Sequence, residues 1–379
     1  MPHHGVLKPN SKKLRVVFNT SQKGSNGKSL NDYLLPGPKL QGDVTLILTR
    51  WRFFKFAFTA DIIKMFRQFD VHESDLRYQH ILWRADPLQP MQDFCLTTVT
   101  YGTTAAPFLA NCTMLQLAHE GESTHPKAAQ IIRQQTYVDD TFAGVDSIEK
   151  ALIVKDQLIS LLKSAQLKLG KWSANSPDLL INNDDSNERS ITTHTDDFVF
   201  TLGVRWQPRS DYFHFIAHLS ASRENYTKRR VLSDTAKLFD PLGWLTPIII
   251  VAKIILRDMW LHGADWDATL PEELVDRWVD FRDALPLINL IRVPRWTNVH
   301  EKTQWQLHGF ADSSERAYGA VVYAVTPGTS AIILTAKSRV APKKEETLPR
   351  LELCAAVLLA RLVKHLLDGL PHLPHTVNL

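Results

Sequence analysis

The feature that most constrains this chain is a pair of neighbouring carboxylates set between apolar stretches, Tyr137-Val138-Asp139-Asp140. A third acid, Asp61, closes the run FFKFAFTADI at residues 53–62. That run is rich in aromatic and β-branched residues and has no breaker, so it reads as a buried strand ending at Asp61. If the two stretches pair, three carboxylates meet at one sheet edge. Like charges that close repel and raise one another's pKa unless a cation lies between them. Mg²⁺ (or Mn²⁺) takes oxygen ligands and fits such a group. Two such ions can orient a hydroxyl for attack on a phosphoryl group and stabilise the departing phosphate. An Asp-Asp pair is also ordinary turn chemistry, and from the residues alone both readings stand.

A chain of 379 residues is too long for one core, so two or three domains are expected. Its 44% apolar and 22% charged residues exclude a disordered chain, a collagen-like chain and a coiled-coil rod. The longest apolar stretch, residues 244–256, is broken by Pro247 and Lys253 and falls short of the ~20 residues of a membrane span. Cys95, Cys112 and Cys354 are far apart and form no CxxC pair. A disulfide framework and a zinc finger are therefore not expected, and a reducing intracellular setting is. Charge is uneven. Residues 1–60 hold ten Lys/Arg against two acids, in a chain whose net charge is +4. A basic lobe on a near-neutral body suits a polyanionic partner, nucleic acid or nucleotide phosphate, or else is a solvated basic surface.

The remaining pattern is that of an α+β protein. Residues 1–50 are rich in Gly and Pro, with one short strand at 14–18. A helix opened by Pro107 is expected over 106–119, and two short strands joined at the acidic turn over 131–144. Residues 147–165 form an amphipathic helix capped by Ser147, and 173–195 a polar loop. A hairpin spans 198–216, turning at 208–211. Helices occupy 223–290 with a stop at Asp240-Pro241-Leu242-Gly243, and strands return over 305–336. A helix from about 349 to 367 and a strand beginning at Val377 close the chain. Strand, helix, hairpin and helix in that order argue against a parallel βαβ repeat.

A second carboxylate pair is Asp312, at the end of a strand, and Glu352, early in the last helix. Ala355, Ala356, Leu359 and Val363 share the helical face of Glu352. A carboxylate on an apolar face is costly unless compensated, and a metal ion would compensate it. A first-turn Glu favoured by the helix dipole is the plainer alternative.

Taken in order, these motifs resemble the reverse transcriptase of the BEL/Pao class of LTR retrotransposons. The matching stretches are Leu14-Arg15-Val16-Val17-Phe18, Ser29-Leu30-Asn31-Asp32, Gly37-Pro38, and residues 60–68 (ADIIKMFRQ). Next come Tyr101-Gly102 with Ala106-Pro107-Phe108, Tyr137-Val138-Asp139-Asp140, and Leu169-Gly170-Lys171-Trp172 with Asn175-Ser176. Leu202-Gly203-Val204 with Trp206, Lys228-Arg229, Leu232-Ser233 and Phe239-Asp240-Pro241-Leu242-Gly243 continue the series. The strands around Asp312, the helix with Glu352 and the stretch 347–353 (TLPRLEL) resemble the ribonuclease H fold in its BEL/Pao form.

The resemblance implies a right-hand polymerase followed by an incomplete ribonuclease H-like domain. Residues 1–215 would be fingers and palm, 216–300 a helical thumb or connection, and 301–379 the ribonuclease H-like part. It implies RNA-directed DNA synthesis, with Asp61, Asp139 and Asp140 as catalytic metal ligands and Asp312 and Glu352 as metal ligands of the second site. Arg15 and Lys8 would hold the triphosphate, and Phe66 would sit under the sugar and exclude a 2′-hydroxyl. Tyr101 would pack on a nucleotide or template base, Lys171 would give a proton to pyrophosphate, and residues 223–230 (RENYTKRR) would track the nucleic-acid backbone. For each of these, an ordinary core or surface role is the alternative. Expected partners are an RNA template, a DNA or tRNA primer, dNTPs and the remainder of a polyprotein (protease, integrase), with no membrane. The expected location is a cytoplasmic particle with nuclear entry. The chain departs from the pattern in having Asn19 where relatives usually have Asp. No acid follows in the last strand, so ribonuclease activity is not expected, and the fingers look incomplete. A non-catalytic nucleic-acid-binding remnant is the rival expectation.

Overall fold

The computed structural model describes residues 1–7, 13–180, 198–217, 219 and 226–379. Lys8, the polar stretch 181–195 and residues 223–225 lie outside the described residues. The chain opens with the hairpin β1 (His3–Leu7) and β2 (Leu14–Phe18), then α1 (Val44–Trp51) and β3 (Phe56–Ile62). A short α2 (Glu73–Leu76) and a second hairpin, β4 (His80–Trp83) with β5 (Gln92–Cys95), lead to α3 (Ala106–Glu120) and α4 (Pro126–Gln134). Next come β6 (Thr136–Tyr137), β7 (Asp140–Val145), α5 (Ile148–Ser164) and β8 (Leu169–Ala174). Three short strands follow, β9 (Val199–Thr201), β10 (Val204–Gln207) and β11 (Tyr212–His214). Helices α6 (Lys228–Ala236), α7 (Thr246–Leu261) and α8 (Glu272–Ala284) precede β12 (Arg292–Pro294). The C-terminal part is β13 (Gln306–Ser313), β14 (Ala317–Val325), β15 (Ile332–Val340), α9 (Leu348–Leu367) and β16 (Thr376–Asn378).

Three four-stranded sheets carry the fold. The first, in the order β6-β7-β3-β8, is antiparallel throughout. Its central strand β3 is buried on both faces because two cores meet there. Phe58, Ala60 and Ile62 pack with α3, α4 and α5 on one side, and Ala57 and Phe142 with α1 and β10 on the other. The second sheet, β12-β11-β10-β9, takes strands from both sides of residue 215. The third, β15-β14-β13-β16, is antiparallel except for β16, which runs parallel to β13, and α9 covers one of its faces.

Local chemistry sets the helix ends. Asp43 caps α1 through the Thr45 amide at 2.7 Å, and Ser147 caps α5. The Asp240 carboxylate accepts from the amides of Trp244 (2.9 Å) and Leu245 (2.6 Å), which starts α7. Gly243 in that turn has φ +76°, and a Cβ there would lie 1.7 Å from the Ala336 carbonyl oxygen. The turn needs glycine because it lies directly against β15, where the Ala336 amide donates to Leu242.

Several expectations change. Residues 131–134 are helical, not strand: Pro126 opens α4, and Ala128, Ala129, Ile131 and Ile132 turn one buried face inward. Residues 1–50 hold more structure than the Gly/Pro density suggested. β1 pairs with β2, and α1 buries Ile47, Leu48 and Trp51 at helical spacing. The expected helices at 106–119 and 147–165, the hairpin at 198–216 and the closing strand near Val377 are all present.

Two buried guanidinium groups tie the sheets together. Arg295 forms a bidentate pair with Asp211 at 2.6 and 2.7 Å, and donates to the carbonyls of Trp51, Phe54 and Lys55. Arg52 donates to the carbonyls of Arg295, Pro294 and Leu334, each at 3.1 Å, and lies over the Trp244 ring. Both side chains are 0% exposed. Burial, and then the charge of Arg295, bring Arg52 down to about 9, still protonated at neutral pH. Removing one partner of a buried pair leaves an uncompensated charge. Asp211→Asn preserves shape at this left-handed position (φ +58°). It should cost about 3–5 kcal/mol of stability, read from the urea midpoint; an unchanged midpoint would contradict the role assigned to the pair.

Candidate functional site

The Asp139–Asp140 pair sits on a two-residue hairpin turn. Tyr137 of β6 pairs with Asp140 of β7, leaving Val138 and Asp139 as the turn. Val138 has φ +53°. A β-branched residue in the left-handed region is strained, and such strain is stored where the surroundings over-determine the backbone. β3 lies beside β7 with Asp61 directly opposite Asp140, and the Ile62 amide donates to the Asp139 carbonyl at 2.8 Å. Asp61 shares its sheet face with Thr59 and Ala57, and Asp140 shares that face with Phe142. Register alone therefore brings the three acids to one sheet end.

Their electrostatics follow from that crowding. Burial pushes Asp140 up to about 6, and the neighbouring charges of Asp139 and Asp61 add to the rise. Asp139 is raised as well, first by burial and then by Asp61; Lys171 and Arg15 oppose the rise. Among the described residues, no three His, Cys, Asp or Glu side chains are drawn into a metal-holding group. The Lys171 ammonium is bonded to Asp61 instead. Lys171 is aimed there by a bulge. Between Thr59↔Ser173 and Asp61↔Gly170, β8 carries one residue more than β3, and Lys171 has φ +52°. The donor set is all carboxylate, which suits a hard divalent cation, and two of its three members are short of counter-charge. In donor type the residues fit Mg²⁺ or Mn²⁺, while Asp61 is engaged by Lys171 and the three are not gathered around one point.

The other sequence candidates divide. Arg15, exposed on β2, is close enough to act on Asp139 through its charge. Tyr101 is fastened to the same strand: its hydroxyl donates to the Val16 carbonyl at 2.7 Å, its ring meets Phe18 edge-on, and Arg15 lies 6.0 Å from its centroid. Phe66 is half-buried against the core beneath β3. Lys8 lies outside the described residues. Asn31 holds the Tyr101-Gly102 loop, donating to the Gly102 carbonyl at 3.1 Å and accepting from the Thr104 amide at 2.8 Å. Sequence reasoning missed Gln41, whose side chain bonds the acidic hairpin at Thr136 and Val138, on the β6 side of the turn. An isolated Gln in a loop gives no signal of such a role.

At the second pair, Asp312 is exposed on β13 and accepts from the Ser313 amide at 2.8 Å. Glu352 is exposed, not on a buried apolar face: Ala355, Leu359 and Val363 are buried, but Glu352 and Ala356 lie beyond the edge of that stripe. The argument from a costly buried carboxylate therefore fails for Glu352.

The comparisons with known proteins agree with this architecture. Residues 227–378 match the family model of the Pao retrotransposon-like RNaseH-like domain. A foamy viral protease-reverse transcriptase in complex with double-stranded DNA (the dRH form) superposes with a TM-score of 0.62 at 14% identity. The match covers 99% of this chain and 57% of that one. The foamy viral enzyme with an RNA/DNA hybrid gives 0.56 at 14% identity, covering 96% and 42%. A further complex with double-stranded DNA gives 0.57 at 15%, covering 99% and 68%. No curated protein matches the chain. At such identities the likeness is one of fold, that of a retroviral reverse transcriptase/RNase H region. The chain spans little more than half of the first of these relatives and less than half of the second. Residues 227–378 are thus similar to a Pao retrotransposon-like domain, and the chain as a whole shares its fold with the foamy viral enzymes.

The raised acid gives a pH dependence of definite sign. A carboxyl whose folded pKa stands at about 6 against an ordinary 3.8 favours the folded state while protonated. That contribution is full below about pH 4 and is lost as pH rises through about 6. Asp140→Asn should raise the melting temperature at pH 7.5 by about 2–5 °C and change it little at pH 4.5. An equal shift at both pH values would contradict this.

Proposed function

We propose that this chain is a reverse transcriptase segment that extends a primer 3′-hydroxyl along an RNA template with deoxynucleoside triphosphates. The observation that carries the reading is the pairing of Asp61 with Asp140 on neighbouring strands, with Asp139 in the adjoining turn. The foamy viral neighbours, described in complex with double-stranded DNA and with an RNA/DNA hybrid, support nucleic acid as the partner. In this reading the first sheet with its helices is the palm and the two N-terminal hairpins are fingers. The helices of residues 216–300 are thumb or connection, and residues 301–379 are the ribonuclease H-like part.

Asp61, Asp139 and Asp140 would hold two divalent cations. When bound, these would orient the attacking hydroxyl and stabilise the departing pyrophosphate. The chain's own groups do the rest. Lys171, paired with Asp61, would lie beside the leaving phosphates as a proton source. Arg15 lies near Asp139, where a guanidinium can grip a triphosphate bidentately, and Lys8 is the second proposed triphosphate contact. Tyr101, tied to β2, forms a wall that moves with Arg15 and contacts the nucleotide or template base. Phe66, packed beneath β3, is the ring a 2′-hydroxyl would strike. In the ribonuclease H-like part, Asp312 and Glu352 are the proposed metal ligands. The basic stretch 223–230 would follow the primer–template backbone.

Primer extension on an RNA template tests the reading. The wild-type chain should extend only with Mg²⁺ or Mn²⁺, and Asp139→Ala/Asp140→Ala should not extend. Binding of the hybrid that weakens with salt, with no extension by folded wild-type protein, would contradict catalysis and select a binding-only role. Phe66→Val should raise ribonucleotide incorporation relative to deoxyribonucleotide by about 5- to 30-fold, the loss of one steric clash of about 1–2 kcal/mol. Unchanged sugar selection would remove Phe66 from the site.

A further inference from the structure

We infer that Gln41 is the positioning residue of the acidic hairpin, a clamp that holds the main chain of the turn bearing Asp139 and Asp140 in place for cation binding without touching metal or substrate. The inference rests on the polymerase reading and adds a residue to it. Gln41 Oε1 accepts from the Val138 amide at 2.9 Å, while Gln41 Nε2 donates to the Thr136 carbonyl at 3.2 Å. The two bonds fall on either side of Tyr137 and use both ends of one planar amide. They span the entry to the turn where Val138 is forced to φ +53°. Within the hairpin, Val138 is the first of the two turn residues between β6 and β7, and the partner its amide finds is this side chain. A left-handed valine needs outside support, and a side chain that satisfies its amide in that conformation supplies it.

The clamp is itself anchored. Gln41 stands two residues before Asp43, whose carboxylate caps α1 through the Thr45 amide. Thr45 Oγ1 lies 3.1 Å from His365 Nε2 on α9, and Asp43 lies 3.6 Å from the same ring. Arg50, at the other end of α1, donates to the carbonyls of Gly369 (2.6 Å) and Gln134 (3.0 Å). The segment bearing Gln41 is thus fixed between the acid-bearing sheet and the last helix before substrate arrives. A preset clamp of this kind lowers the ordering needed when cations bind.

The test is hydrogen exchange at the Val138 amide, followed in the hairpin of residues 136–142, together with Mn²⁺ affinity by paramagnetic resonance of the full chain. In Gln41→Leu, Val138 exchange should quicken by about tenfold or more and Mn²⁺ should bind about tenfold more weakly, the scale of one lost hydrogen bond to a strained turn. Gln41→Glu keeps the acceptor and should restore Val138 protection. A merely structural glutamine would lower the melting temperature but leave Mn²⁺ affinity and the Gln41→Glu rescue unmoved. Should Gln41→Leu fail to fold, Gln41→Asn, whose amide is one methylene short, should show the same two losses. Wild-type exchange at Val138 in either variant overturns the inference, even if the chain binds Mn²⁺ normally. A wild-type chain that binds no Mn²⁺ overturns the polymerase reading, and with it the purpose given to the clamp.

Discussion

Arg52 and Arg295 have no contact with water, and the relative placement of the three sheets depends on them. One reaches from the end of α1 to carbonyls of β12 and β15; the other reaches back from just after β12 to the residues between α1 and β3. Desolvating two guanidinium groups is expensive, and only a full set of acceptors offsets it. Here the acceptors are main-chain carbonyls plus one carboxylate, Asp211, which Trp206 and Asn175 also hold. Because carbonyls at those positions are available in one arrangement of the strands only, the cost of burial selects that arrangement. The acid-bearing sheet is thereby held against the C-terminal sheet by polar bonds that tolerate little sliding.

On this frame the acids are brought together by register and kept apart in charge by little else. Antiparallel pairing places Asp61 opposite Asp140, and burial then makes the charges of Asp139 and Asp140 harder to carry. Lys171, directed at Asp61 by a bulge and a left-handed backbone, engages it from the exposed side. The remaining deficit falls on Asp139 and Asp140, which are both raised. A site that holds protons more tightly than free carboxylates gains most from a divalent cation at neutral pH. The strained Val138, the bulge at Lys171 and the Gln41 clamp are three separate distortions around one cluster of charge, the pattern expected where geometry serves chemistry and not packing.

The sequence was legible where periodicity or strong chemistry spoke alone. The strand up to Asp61, the Ser147-capped helix and the strands around Asp312 could be read because burial imposes a period on their residues. Asp61, Asp139 and Asp140 stood out because acids at the ends of apolar strands need an explanation. Residues 131–134 were misread because Ile131-Ile132 favours a strand by propensity, whereas Pro126 and the alanines at 128 and 129 start a helix whose buried face includes both isoleucines. α1 was missed because Gly and Pro are dense up to Gly42, although Asp43 is a capping residue. Glu352 was put on a buried face because helical spacing gives direction but not the width of the buried stripe. Nothing in one sequence marks Gln41, Arg52 and Arg295 as partners of distant main chain, or Asp211 as the partner of Arg295, since those bonds join segments far apart in the chain.

The account as a whole rests on three carboxylates sharing divalent cations at the end of the first sheet. The most direct measurement is anomalous diffraction from crystals grown with Mn²⁺ and a non-hydrolysable deoxynucleoside triphosphate. Manganese density bounded by Asp61, Asp139 and Asp140, with Lys171 displaced from Asp61, is the result expected. Density elsewhere, or an Asp61–Lys171 pair that persists with no ion beside it, would contradict the account.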